Sequence, residues 1–171
     1  YDGELKTQLF NKFGLYESGG DKLSKARFTP RTIEPICGVV NQDVKGTAQG
    51  DWFAEGASDG SEGTIGAEFS GQAISLIHSN FDPTQGRFSI GGTISDAMVV
   101  DFTPRNSGTI NREFKEVTAD GRIYCYPFEN SATSGKILIQ LIDDHNLKVE
   151  VQEDSTCGTQ EIFINPYNFD R

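Results

Sequence analysis

Histidine, methionine and tryptophan are nearly missing from this chain, at two, one and one in 171 residues. Two histidines cannot make a three-histidine metal centre, and neither an HExxH motif nor a Cys-His spacing occurs. No metal or cofactor is therefore expected. No Gly-x-Ser-x-Gly elbow is present, so the commonest serine-hydrolase signature is absent. Apolar runs stay strand-sized, as in Ala97-Met98-Val99-Val100, far short of the roughly 18 residues that cross a bilayer as a helix. Positive charge is scarce: 15 basic against 25 acidic side chains leave a net charge of −10. Such a surface repels phosphate backbones and anionic headgroups, which excludes nucleic acid and bare membrane as partners.

Cysteine is also sparse, with Cys37, Cys125 and Cys157 far apart in sequence, which rules out a CxxC redox or zinc motif. Three cysteines allow three single disulfides and always leave one thiol. Cys125–Cys157 is the preferred pair, with all three reduced as the alternative. Closing its loop of roughly 33 residues is worth about 3.5–4 kcal/mol in chain-entropy terms. Such a bond implies an oxidising compartment, so the expected location is secreted, periplasmic or cell-surface. The chain opens at Tyr1-Asp2-Gly3, which reads as a mature form or a piece of a longer protein, with an upstream domain as a conceivable partner.

What is present is turn chemistry between short apolar segments. Residues 1–30 stand apart: Leu5, Leu9 and Phe13 mark one stripe of a short helix over 3–13, followed by a linker at Glu17–Lys22. Residues 31–171 read as a single antiparallel β domain. Leu147, Val149 and Val151 alternate with Lys148, Glu150 and Gln152, the period of a half-buried strand. Their partner, Ile137–Ile142, is apolar on both faces except at Gln140, and Asp143–Asn146 makes the turn. Further hairpins are expected from Ala73–Phe81 with Arg87–Ile94, and from Met98–Thr103 with Thr109–Val117. Asp120-Gly121 then leads into Arg122–Phe128. Connections this short leave no room for crossover helices, so the class is all-β. A long meander must hide its edges. An up-and-down barrel is the first expectation and a two-sheet β-sandwich the alternative.

Several residues could carry function. Gly50-Asp51-Trp52 resembles the Gly-x-Trp of lipocalin-type barrels, and the resemblance implies that Trp52 plugs a barrel floor. Burial of the ring in any β-core is the plainer account. His78 shares a strand face with Ile74 and Leu76, so it is either a general base or a core imidazole satisfied by a carbonyl. Arg112 falls on the side of Ile110 and Phe114, where it could clamp a carboxylate ligand or pair with Glu116 or Asp101. Tyr124 and Tyr126 share a face with Phe128, as a ligand wall or as ordinary core. Glu55–Glu62 is acidic and glycine-rich but lacks EF-hand spacing, so it reads as a surface loop.

These residues assemble no catalytic motif. The leading expectation is a non-catalytic binding or interaction domain of an exported protein, taking a small apolar molecule, a glycan or a protein. One alternative is a hydrolase or isomerase built on His78 with Arg112, or on Cys37 with His78. Another is a structural or assembly domain of a larger extracellular chain.

Overall fold

Leu147 and Val149 lie buried on one side of their strand, as their spacing predicts. In the computed structural model, which describes residues 33, 39, 41–55, 72–92, 94–129 and 133–171, this strand is one of eight. They are β1 (Gly50–Ala54), β2 (Ala73–His78), β3 (Gly86–Ile90), β4 (Met98–Phe102), β5 (Tyr124–Glu129), β6 (Ser134–Leu141), β7 (Asn146–Gln152) and β8 (Tyr167–Asp170). The expected helix over 3–13, the linker at 17–22, Cys37 and most of the 55–62 loop fall outside the described residues.

The unit Val39–Arg171 is an antiparallel sheet in the order β4-β3-β2-β1-β8-β7-β6-β5. Strands pair with their chain neighbours, and β8 returns to β1 through Phe53↔Asp170 and Ala54↔Phe169. The result is a nearly closed up-and-down barrel, and not a sandwich. Alternation of strand direction puts the C-terminal ends of β1, β3, β5 and β7 at one end, the mouth. The β2–β3, β4–β5 and β6–β7 connections form the floor.

Closure is incomplete between β4 and β5, which share no ladder. The expected strand Thr109–Val117 does not form there, nor does an antiparallel hairpin with β4. Instead Arg105 bridges Arg112 and Ile110 bridges Cys125, both in parallel sense. Four backbone hydrogen bonds carry this patch: Arg105 N–H to Asn111 O, Glu113 N–H to Arg105 O, Asn111 N–H to Cys125 O, and Cys125 N–H to Thr109 O. Two causes break the pleat. Asn111 sits at φ 54°, in the left-handed region that asparagine tolerates. Phe114–Glu116 then tighten into a 3₁₀ turn that drives the Phe114 ring into the barrel. The floor half of the seam is thereby sealed; toward the mouth β4 and β5 stay unbridged.

Inward residues from every strand fill the lower barrel. Phe88, Phe102, Phe114 and Tyr126 touch in all six pairings, with centroids 4.8–5.8 Å apart and every pair tilted or edge-on. Such aromatic pairs each add about 0.5–1.5 kcal/mol beyond the area they bury. Gly86 makes room for them, because the Phe102 ring lies where a β-carbon would stand. Below the mouth, the barrel is a packed core.

The outer wall explains why β6 is apolar on both faces. Ile137, Ile139 and Leu141 point into the barrel, yet outward-facing Leu138 is also fully buried. Residues 153–166, the β7–β8 connection, run back over the wall. Cys125 on the outer side of β5 is joined to Cys157 of this strap, the preferred pair. The Glu150 carboxylate accepts from Ile164 N–H at 2.8 Å, and Lys136 meets Glu161 at 2.8 Å with both side chains nearly buried.

Candidate functional site

Trp52 lies at the floor with no exposed surface. Its indole N–H donates to Ala48 O at 2.9 Å, and the Arg171 guanidinium stacks on the ring with Cζ 4.1 Å from the centroid. That guanidinium also donates to the carbonyls of Thr47, Gln49 and Asp144. Gly50, two residues before the tryptophan, holds φ +140°, a value that side-chain-bearing residues rarely adopt. Trp52 is fully buried and lines neither of the hollows described below.

His78 ends β2 on the floor side, where both ring nitrogens are engaged. Nδ1 lies 2.9 Å from Pro83 O and Nε2 lies 2.8 Å from Glu113 Oε1. Both partners are acceptors, so only the doubly protonated imidazolium can donate to each. The Glu113 hydrogen bond accordingly raises the His78 pKa above its ordinary 6.5. Burial pushes the Glu113 carboxyl up, but the bond and charge of His78 outweigh it and leave it below 4.5. The sign of the linkage follows. The histidine's share of stability is complete below pH 6.5 and is lost as pH rises through its raised folded pKa. The glutamate's share is complete above pH 4.5 and is lost as pH falls through its lowered one. The thermal-stability gap between wild type and His78→Gln should therefore peak between those two values and shrink as pH rises through the raised folded pKa of His78. Melting curves from pH 4 to 9 check this; a flat gap would refute the ion pair.

The same floor segment gathers the other singled-out side chains. The Arg112 Nη2 donates to Glu116 at 3.2 Å, one of the two pairings expected for it. Its Nε and the Asn111 Oδ1 are buried without a protein hydrogen bond among the described residues. The Tyr126 hydroxyl donates to Arg112 O, and the Tyr124 hydroxyl donates to Asp120. Burial and the Asp120 carboxylate push Tyr124 up to about 12, and complete burial raises Tyr126 well above its ordinary value. His78, Arg112, Tyr124 and Tyr126 thus lie along one hydrogen-bonded stretch. They are joined to main chain and carboxylates, and none of them lines either described hollow.

The one cluster with metal-ligand spacing among the described residues is Cys125, Cys157 and Glu161. Its sulfurs are joined to each other and its carboxylate is committed to Lys136, so it offers no thiolate.

Open space lies at the opposite end. A hollow of about 420 Å³ sits in the mouth where β4 and β5 diverge. Ile94, Met98, Phe128 and Val151 form its floor and pack against the core below. Ser95, Asp96, Ser134, Gln152 and Glu153 stand around it. A second hollow, of about 440 Å³, lies on the outside of β2–β4 against Ala73, Ser75, Ser89 and Val99. Ala97 and Met98 border both, so this end of β4 is a thin wall. Of the mouth residues only Phe128 stood out in the sequence, on the face it shares with Tyr124 and Tyr126, because the lining comes from four separate segments. The usable signal was weak: inward strand positions whose next loop is rich in Ser, Thr and Asp.

Comparison with known proteins finds no family model, no curated protein and no solved structure that matches this chain.

Proposed function

We propose that this is a non-catalytic binding domain of an exported protein that holds a small apolar-bodied ligand in the barrel mouth. The observation that carries the reading is the mouth hollow. Its volume falls within the roughly 300–1,000 Å³ of ligand sites, and its floor of Ile94, Met98, Phe128 and Val151 is ringed by a few polar groups. Aliphatic lining favours an apolar body over a glycan. The Cys125–Cys157 bond fits an oxidising compartment. The enzymatic reading on His78 and Arg112 gains no support, since His78 has neither a free ring nitrogen nor a place at the mouth.

Titration with 1-octanol tests the proposal. At about 0.8 kcal/mol per buried methylene, less the cost of association, binding should be sub-millimolar. Calorimetry should give one saturable site, and Val151→Trp, which fills the hollow from its floor, should weaken binding at least about tenfold. The folded state of that variant is checked by circular dichroism. Absence of saturation, or equal affinity in the filled variant, would defeat the proposal.

A further inference from the structure

The rim has a sign. Asp96, from the β3–β4 connection, and Glu153, just past β7, both border the mouth hollow, and no lysine, arginine or histidine lines it. Among the described residues neither carboxylate has an ion pair. The nearest cation along β6, Lys136, is committed on the outer wall to Glu161, Asp154 and the Thr156 carbonyl. A rim hydroxyl also presents oxygen. The Ser95 hydroxyl hydrogen goes to Asp96 O, so its oxygen is left to accept.

We propose that the mouth selects an amphipathic organic cation: an alkyl or aryl body seated on Ile94, Met98, Phe128 and Val151, with an ammonium head at the rim between Asp96 and Glu153. This rests on the mouth being the ligand site. Charge complementarity carries it, because an apolar body alone would be indifferent to the head group. A cation gains from two unneutralised carboxylates beside a low-dielectric floor, whereas an anion meets repulsion from both. The head stays near water, so the gain is moderate and sensitive to salt.

Three probes of equal chain length separate the possibilities: octylammonium, 1-octanol and octanoate, titrated calorimetrically into the oxidised protein at pH 7. At low ionic strength octylammonium should bind about 5–10-fold more tightly than octanol, and octanoate most weakly, with the spread narrowing in 0.5 M salt. In Asp96→Asn/Glu153→Gln the ammonium-to-alcohol ratio should fall toward one. In Asp51→Asn/Asp170→Asn, which removes the same charge from the outer side of β1 and β8, the ratio should stay. Equal affinity for all three probes would overturn the cation preference and leave the mouth as the site. Failure of every probe would remove the mouth reading itself. A ratio that survives the rim variant and collapses in the control would assign the preference to overall charge and overturn the proposal.

Discussion

Replacing Trp52 with alanine should cost about 3–5 kcal/mol of stability, the range for deleting a large, fully buried aromatic side chain. Three losses combine at this position. The largest side chain in the barrel disappears from a site with no exposed surface. The Ala48 carbonyl loses its indole donor, and the Arg171 guanidinium loses the ring beneath it. The floor is pinned by backbone carbonyls on both sides of the ring, those of Thr47, Gln49 and Asp144, so it cannot simply collapse into the gap. Trp52→Phe keeps most of the volume and gives up the Ala48 hydrogen bond, and should cost about 1–3 kcal/mol. Urea unfolding followed by circular dichroism measures both, since Trp52 is the chain's single tryptophan. A loss below 1 kcal/mol for the alanine variant would show that Trp52 does not hold the floor.

Lys136→Met should be comparably severe, at about 3–5 kcal/mol, because it strands the Glu161 carboxylate under the strap without its counter-charge. The two side chains are only 9% and 8% exposed, and their atoms lie 2.8 Å apart. Glu161 would keep the Gly158 N–H as a donor, but a neutral donor does not offset a buried charge. The converse variant, Glu161→Leu, should be milder, since Lys136 retains Asp154 at 3.7 Å and the Thr156 carbonyl. The double variant Lys136→Met/Glu161→Leu should recover most of the stability, because a buried ion pair contributes little over an apolar pair of similar volume. The measurement is a double-mutant cycle on the oxidised protein. Additive single effects, with no recovery in the double variant, would mean that the pair is not energetically coupled.

The barrel was readable because its strands obey a two-residue period and its turns carry Asp, Asn, Gly and Pro where turns need them. β7 is the plainest case. β6 was harder: Leu138 looked like evidence for a strand buried on both faces, and it is one. What buries its second face is the 153–166 strap, which a local pattern cannot foresee. Thr109–Val117 misled for the opposite reason. Ile110, Arg112 and Phe114 alternate as a strand would, yet the left-handed Asn111 and the inward turn of Phe114 break the pleat. The favoured cysteine pair forms, and Trp52 buries its ring completely in the β-core.

The site was less legible than the scaffold. Chemically conspicuous residues drew attention to His78 and Arg112, and both are held by partners that line neither described hollow. Glu113, which engages His78 from 35 positions away, had no spacing to announce it. The mouth is made of unremarkable side chains whose meeting depends on strand tilt and on where β4 and β5 part. Sequence periodicity records which way a side chain points along its own strand, but not how high around the barrel it ends up.

The disulfide makes the two lips of the seam unequal. On one side, the mouth half of β4 is held by its ladder to β3 alone, while its floor end is tied down by the bridge from Arg105 to Arg112. On the other side, β5 is covalently joined through Cys125 to the segment that follows β7, so it cannot peel away without dragging that segment off the outer wall. Any widening of the cleft short of full denaturation must therefore swing on the β4 side, with the β5–β6–β7 triplet as the fixed post.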